Sequence, residues 1–231
     1  GGGAGLIQLP SLILLGLPFT KALATHKLAS IALGIGASIR HGKEKSLLPS
    51  FSYLIIICGL PGVFIGSNLI INIPSKSATL ALGILTLCLG IYSYTNQSDT
   101  KPKEKFKSSL FKKCFGGIVL FLIGVINGSL SSGTGLFVTM WLVSWFGLSY
   151  SKAIGYTLVF VGIFWNGTGA AFLVMNNEVQ WSWLPVLVSG SLIGGYIGAH
   201  FSLIKGEVLV KKTFEIISIG IGLSLITKSL L

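Results

Sequence analysis

Two glycine-rich stretches contain the residues whose types and spacing best fit a chemical role. The first is GGGAG at positions 1–5 and the second is SSGTG at positions 131–135. A glycine-rich helix start exposes backbone N–H groups at the positive end of the helix dipole, so it binds anions. Glycine is also a common packing residue in membrane helices, which is the alternative for either stretch alone. The candidate anion ligands are Gly1, Gly2, Gly3, Gly5, Ser131, Ser132, Gly133, Thr134 and Gly135.

Lys27 is the strongest single candidate for a functional residue, because it lies inside an apolar run at positions 22–39. An ammonium at the bilayer centre costs about 2.5 kcal/mol or more and marks a functional site by default. The alternative is that its long side chain reaches the nearby interface. His26 faces about 100° around the same helix and either donates to an anion, shuttles a proton or simply packs. Thr25, Tyr156 and Thr157 complete the predicted substrate-binding set.

An internal repeat relates these residues to the rest of the chain. Gly16-Leu17 recurs 131 positions later as Gly147-Leu148, and Lys21-Ala22 recurs at the same separation. Residues 26 and 27 then correspond to Thr157 and Leu158, so only the first repeat supplies the cation. A repeat of this length must be explained before the fold is assigned.

The apolar runs predict an all-α integral membrane protein. Spanning a bilayer takes about 20 mainly apolar residues. Each repeat contains a short run followed by three long ones, and the second repeat has a further run in front. The predicted segments are 4–17, 22–39, 50–72 and 78–95, then 114–131, 135–148, 152–175, 182–204 and 212–230. The predicted units are a first repeat at 1–95, a basic linker at 96–113 and a second repeat at 114–231.

The connectors predict that the two repeats have opposite topology. The lysine-rich linker and the basic connector at 40–46 are expected on the cytoplasmic face. The matching connector of the second repeat, at 176–178, has no basic residue and precedes Trp181 and Trp183, which indicates the outer face. An odd number of segments, about five per repeat, produces this inversion. Inverted repeats are typical of secondary transporters, with the site near the midplane at the short glycine-preceded segments.

Two further expectations follow from comparing the repeats. The second repeat has an apolar segment ahead of its glycine stretch, so a spanning helix that this chain lacks is expected ahead of Gly1. PGVFIG at 61–66 matches IGGYIG at 193–198. Small residues four apart in such a motif predict close helix packing rather than chemistry.

Composition excludes several classes of function. The 231 residues are 52% hydrophobic and 10% charged, whereas soluble domains carry about 25% charged residues. The net charge of +11 resides in short connectors, which indicates a membrane surface rather than a nucleic-acid partner. Three separated cysteines and six mostly peripheral carboxylates form no metal spacing, proton relay or catalytic pair. We therefore expect no cofactor, no metal and no enzymatic activity.

The first repeat resembles the TauE/SafE family of sulfite-exporter-like membrane proteins. That family shows a glycine-rich stretch, a Pro-Xaa-Leu-Leu run and then Ala-Xaa-Ala-Thr-Asn-Lys-Leu. The matching residues are Pro10, Leu12, Ala22, Ala24, Thr25, Lys27 and Leu28. His26 stands where the family usually has Asn. GLSYSKAIGY at 147–156 and GGYIGAHF at 194–201 are similar to the family's second half.

The resemblance implies a small-anion transporter of the inner or plasma membrane, with sulfite, sulfoacetate and related organosulfonates as its substrates. It also implies that the glycine stretch and the segment 25–27 line the pathway. Together with the residues, this predicts an exporter of a small sulfur oxyanion that works by alternating access. The alternatives are an importer or channel for another small anion, such as a carboxylate, and a non-transporting membrane scaffold. The sequence leaves open whether the protein forms a homodimer.

Overall fold

The computed structural model describes residues 4–41, 49–95, 110–176, 178–205 and 207–230, and within these ranges it contains helices and no strand. The α-helices are α1 (Ala4–Leu14), α2 (Phe19–His41), α3 (Pro49–Ile71), α4 (Ser75–Thr95), α5 (Leu110–Leu130), α6 (Thr134–Ser144), α7 (Tyr150–Tyr156), α8 (Asn166–Met175), α9 (Leu184–Lys205) and α10 (Glu207–Leu230). A π-helical segment, Thr157–Trp165, joins α7 to α8, and a 3₁₀ turn, Trp181–Trp183, precedes α9. The all-α prediction is confirmed.

Within these ranges, six apolar helices are long enough to cross a membrane. They are Phe19–Arg40, Phe51–Ile71, Ser75–Thr95, Leu110–Leu130, Lys152–Met175 and Trp181–Phe201. By contrast, α1 and α6 have 11 residues each. At 1.5 Å per residue such a helix is roughly 16 Å long, about half of the hydrocarbon core. These two helices are the short segments that the sequence predicts.

Glycines end both short helices. Gly16 follows α1 with φ 98° and Gly147 follows α6 with φ 68°. This left-handed conformation is favourable for glycine, which has no Cβ, and it ends a helix at its C-terminus. The Gly-Leu pair is therefore repeated because its glycine ends a short helix in each half of the chain.

Side-chain contacts identify the two ends of the bundle. At one end, which we call the Glu178 end, Thr20 Oγ1 donates to Glu178 Oε2 over 2.9 Å and the Phe19 amide donates to Ser75 Oγ over 3.4 Å. The starts of α2 and α4 therefore lie together there. At the other end, which we call the Lys112 end, Trp145 Nε1 donates to the Lys112 carbonyl over 3.0 Å. This contact brings the residue after α6 back to the start of α5.

These contacts orient the two short helices oppositely. The loop after α1 leads into the start of α2 at the Glu178 end, whereas α6 runs back along α5 to the Lys112 end. Both helices begin in the interior of the bundle. This geometry is what opposite repeat topology requires, and the internal symmetry itself stays a prediction.

Glycines hold α3 and α5 in backbone contact. A Cβ at Gly66 of α3 would lie 2.1 Å from the Val125 carbonyl oxygen, and one at Gly128 of α5 would lie 2.2 Å from the Val63 carbonyl oxygen. Substitution at either position would collide with backbone. The close packing predicted for the PGVFIG motif is therefore confirmed.

The matching motif in α9 packs through a different glycine. A Cβ at Gly195 would lie 2.4 Å from the Leu33 carbonyl oxygen of α2. Gly194 and Gly198, which correspond to Gly62 and Gly66, have open space at their Cβ positions within the described part of the chain. The prediction is wrong for these two residues here, because α2 lies against the neighbouring face of α9.

Candidate anion site

The starts of α1 and α6 meet near the middle of the bundle. A Cβ at Gly5, the second residue of α1, would lie 3.6 Å from the Cα of Ser132, just ahead of α6. The positive ends of two short helix dipoles therefore converge on one point. A Cβ at Gly5 would already be in van der Waals contact with His26 and Ser132, so a larger side chain would extend into the space between the two helix starts.

The turn from α5 into α6 exposes the start of α6. Ser131 has φ 59° and Gly133 has φ 74°, so the chain reverses sharply between the helices. Ser131 is the unusual residue, because a non-glycine residue in this conformation costs of order 1–3 kcal/mol and such strain clusters at functional sites. The N-cap residue of α6 is Gly133, which has no side chain that could cap the helix. Its first N–H groups, which have no partner inside the helix, remain available to a ligand.

A cavity of about 60 Å³ adjoins this turn. It is smaller than the roughly 150 Å³ apolar cavity that accommodates benzene in an engineered protein, so it suits a compact ligand. Its wall combines the α1 and α6 starts with the middle of α2 and the π-helical segment. The lining residues are Gly5, His26, Ser30, Leu33, Asn127, Ser131, Thr134, Gly135, Thr157, Leu158, Val161, Gly162 and Asn166.

Lys27 reaches this region through Asn127. Its ammonium is fully buried and donates to the Asn127 carbonyl over 2.8 Å and to Asn127 Oδ1 over 3.2 Å. Both acceptors are uncharged. Asn127 Nδ2 then donates to Thr134 Oγ1 over 2.8 Å, and Thr134 Oγ1 donates to the Ser131 carbonyl over 2.7 Å. A continuous hydrogen-bonded path therefore joins the buried charge to the first residue of α6.

The position of Lys27 has a structural explanation as well. Asn127 lies in the last turn of α5, where the helix dipole is negative and the final carbonyls have no helical partner. The Asn127 carbonyl also accepts from the Ser131 amide over 3.0 Å, so the ammonium is its second donor and lies favourably at the negative end of the dipole. Because both acceptors are uncharged, neither neutralises the positive charge of a protonated Lys27.

His26 connects α1, α2 and α9. Its Nδ1 is 2.8 Å from Gln8 Oε1, and Gln8 Nε2 donates to Ser191 Oγ over 3.1 Å. An amide oxygen only accepts, so Nδ1 carries the proton of this hydrogen bond. Ser30 Oγ is 3.3 Å from each ring nitrogen. These contacts fix the ring orientation beside the cavity.

The π-helical segment forms the wall opposite α6. Thr157 Oγ1 donates to the Ala153 carbonyl over 2.9 Å and is 2.8 Å from Thr139 Oγ1 of α6. A Cβ at Gly34 of α2 would lie 2.9 Å from the Gly162 carbonyl carbon, so the segment also touches α2 at close range. π-helical turns are rare and occur frequently at functional sites, which fits the location of this one.

The structure brings six of the predicted site residues to the cavity wall. They are Gly5, His26, Ser131, Thr134, Gly135 and Thr157. Ser132 and Gly133 form the turn behind them, and Ser132 Oγ is buried without a hydrogen-bond partner in the described part of the chain. Gly1, Gly2 and Gly3 lie outside the described residues. The assignment of this set to substrate binding stays a prediction.

Three other predicted residues do not line the cavity. Thr25 Oγ1 donates to the Lys21 carbonyl over 2.7 Å and accepts from the Gln180 amide over 2.9 Å, so it joins α2 to the loop before α9. Tyr156 packs with its ring against other aromatic residues. Lys27 contacts Asn127, which lines the cavity.

Sequence reasoning overlooked two asparagines, Asn127 and Asn166, that line the cavity. The signal was present, because each is a polar amide within a strongly apolar span, and such residues in membrane helices usually face the bundle interior. Neither belongs to the two glycine-rich stretches at 1–5 and 131–135, and the side-chain partners of Asn127 lie on other helices. The repeat pattern alone therefore did not single them out.

Comparison with known proteins identifies the family. The family model for the sulfite exporter TauE/SafE family matches residues 1–225. The chain belongs to this family. Members of the TauE/SafE family are therefore the relevant relatives, and the resemblance seen in the sequence is confirmed.

Curated relatives of this TauE/SafE chain are named as transporters. A probable membrane transporter protein of Haemophilus influenzae is 27% identical over 94% of this chain and 84% of its own length. The probable membrane transporter protein YfcA of Escherichia coli K12 is 26% identical over 94% of this chain and 80% of its own length. YdhB of Bacillus subtilis, also named a probable membrane transporter protein, is 22% identical over 97% of this chain and 92% of its own length. No solved structure matches. The chain is thus a multi-pass membrane protein of a transporter family.

Proposed function

We propose that this protein exports a small sulfur-containing oxyanion across the inner or plasma membrane by alternating access. The observation that carries the proposal is the uncapped start of α6 at a small polar cavity, joined through Asn127 to the buried ammonium of Lys27. Helix N-termini bind anions through free N–H groups and the dipole. The two helix starts and the ammonium all attract negative charge, and the lining residues of the cavity include no carboxylate.

Burial of Lys27 supports a charged substrate. A buried charge without an opposite charge is unfavourable, and an anion in the adjoining cavity would compensate it in a medium of low dielectric constant. The carboxylates Glu178 and Glu215 hydrogen-bond Thr20 and Ser93, away from the cavity. The anion would then supply Lys27 with a counter-charge that the described carboxylates do not provide.

The family supports sulfur as the element of the substrate, because the model that matches is that of a sulfite exporter. The size of the cavity favours sulfite, the smallest of the expected substrates, over a longer organosulfonate such as sulfoacetate. Tetrahedral and pyramidal oxyanions also present several oxygens to N–H donors at once.

The membrane potential suffices to drive export. With a negative interior, an outward-moving monovalent anion gains about 2.3 kcal/mol per 100 mV, and a divalent anion gains twice as much. No coupling ion is needed for this direction. The opposite orientation of α1 and α6 gives each end of the bundle one short helix that leads to the cavity, so rocking one half against the other would expose the anion alternately.

A thermal-shift screen of the purified protein in detergent tests the proposal. The compounds are the anions sulfite, sulfate, thiosulfate, sulfoacetate, acetate and lactate and the zwitterion taurine. A ligand that binds only the folded protein stabilises it and so raises its melting temperature. At a ligand concentration of 100 times Kd the added stability is about 2.7 kcal/mol. We expect sulfite to raise it most. A shift with acetate or lactate and none with a sulfur anion would instead favour a carboxylate importer or channel.

Two lysine variants give the screen its control. Lys27→Met retains the length of the side chain and removes the charge, so the sulfite shift should disappear. Lys76→Met removes a charge from an exposed position in the first turn of α4 and should leave the shift intact. Sulfite flux in proteoliposomes that is saturable in wild type and absent in Lys27→Met would complete the assignment. Absence of any anion shift and of any flux would overturn it and favour the scaffold alternative.

A further inference from the structure

Asn166 has an acceptor that no group in the described part of the chain satisfies. It is the first residue of α8, it lines the cavity, and only 7% of it is exposed. Its Nδ2 faces the Gly162 carbonyl oxygen at 3.5 Å, which orients the amide, because an amide oxygen in that position would be repelled. Oδ1 is buried and has no hydrogen-bond partner. Such an atom is unfavourable unless a partner arrives.

Three neighbouring polar side chains of the cavity bond elsewhere, and none of them is a hydrogen-bond partner of Asn166 Oδ1. Asn127 binds Lys27 and Thr134. Thr134 and Thr157 donate to backbone carbonyls. The cavity therefore presents a hydrogen-bond acceptor on the α8 side and free N–H donors on the α6 side.

We propose that the site selects small anions that carry a hydrogen-bond donor beside their charged oxygens, and that Asn166 is the residue that determines this specificity. The anionic oxygens face the start of α6, and the O–H or N–H of the same molecule donates to Asn166 Oδ1. Hydrogensulfite, which carries a proton, meets this requirement, and fully deprotonated sulfite does not. The inference rests on the proposed anion site and names the chemical class of its ligand.

Two pairs of isosteric anions test the requirement. Sulfamate and methanesulfonate have the same SO3 group and the same charge, but sulfamate has an amino group where methanesulfonate has a methyl group. Glycolate and propionate differ in the same way, as hydroxyl against methyl, on a carboxylate. Affinities for the purified full chain are measured by isothermal titration calorimetry. A site with a buried acceptor discriminates strongly against the analogue that lacks the donor. We therefore expect the affinity for sulfamate to be at least about tenfold higher than that for methanesulfonate.

A pair of asparagine variants assigns the preference to one residue. Asn166→Leu removes the acceptor and retains the approximate volume, so the two members of each pair should then bind within about twofold of each other. Asn176→Leu makes the same change at the exposed end of α8 and should retain the wild-type preference. If Asn166→Leu does not fold, the comparison within wild type decides alone.

The outcomes separate this inference from the proposed function. Equal wild-type affinity for sulfamate and methanesulfonate would overturn the donor requirement and leave the anion site standing. A wild-type preference that persists in Asn166→Leu would overturn the role of Asn166. Binding of neither sulfonates nor carboxylates would overturn the proposed function and this inference with it.

Discussion

Gly5 of α1 and Ser132, just ahead of α6, lie so close that a Cβ on the glycine would be 3.6 Å from the serine Cα. Their positions differ by 127 in the sequence. The contact places two helix starts against each other in the interior of a helical bundle. Helix starts carry unsatisfied N–H groups, and burying two of them together is unfavourable unless something negative lies nearby.

Gly5→Leu should therefore abolish anion binding. The branched side chain would enter the cavity beside His26 Nε2, which would be 3.4 Å from the new Cβ. The control is Gly190→Leu in α9, where the Cβ position is open. We expect no sulfite-induced thermal shift in Gly5→Leu and a wild-type shift in Gly190→Leu. An unchanged sulfite shift in Gly5→Leu would show that the ligand binds elsewhere.

Two changes at Asn127 should separate folding from anion binding. Asn127→Leu leaves the ammonium of Lys27 without its side-chain acceptor and should lower stability by about 1.5–3 kcal/mol, the usual contribution of a hydrogen bond to a charged group. Asn127→Asp supplies a carboxylate that pairs with Lys27 permanently. This variant should melt at or above the wild-type temperature and lose sulfite binding, because the fixed carboxylate replaces the anion as counter-charge. Sulfite binding by Asn127→Asp at wild-type affinity would contradict the electrostatic role of Lys27.

Gly66→Leu should destabilise the protein without touching the site. The new side chain would collide with the Val125 carbonyl oxygen and force α3 from α5, at a cost of about 1–3 kcal/mol or more. Gly198→Leu, at the corresponding position of α9, should be tolerated because its Cβ position is open. Melting temperatures in detergent check the pair. Equal losses in the two variants would show that α9 is covered in solution where the described residues leave it open.

Ser131 should tolerate glycine and reject valine. Ser131 has φ 59°, so Ser131→Gly relieves the strain of the left-handed conformation, which stabilises the folded protein. The same change makes the unfolded chain more flexible, which lowers stability, and the two effects should nearly cancel. Ser131→Val places a β-branched residue in the same conformation and should lower stability by about 1–3 kcal/mol. Melting temperatures of the two variants test this. A larger loss in Ser131→Gly than in Ser131→Val would show that the hydroxyl matters more than the backbone.

The order of the helices could be read from the sequence because apolar runs in a membrane protein have few alternatives, whereas several bounds differ by three to five residues, as in α10, which begins at Glu207 and not at 212. Backbone groups in lipid must be satisfied internally, so each long apolar run becomes a helix. The run predicted at 152–175, for example, spans α7, the π-helical segment and α8 without a break. The π-helical geometry itself was not predictable from hydropathy, and it occurs where Gly162 packs closely against Gly34 of α2.

The sequence by itself determined the positions of the short helices, their glycine ends and the presence of a cation among apolar residues. These features are local, since they follow from hydropathy and from backbone conformations that only particular residues adopt. Only the tertiary structure decided that Lys27 binds Asn127, 100 positions away, and that Asn166 retains an unsatisfied acceptor at the cavity. Such pairings depend on which helix faces meet, and helix faces in lipid are selected by packing over the whole bundle rather than by any short stretch of the chain.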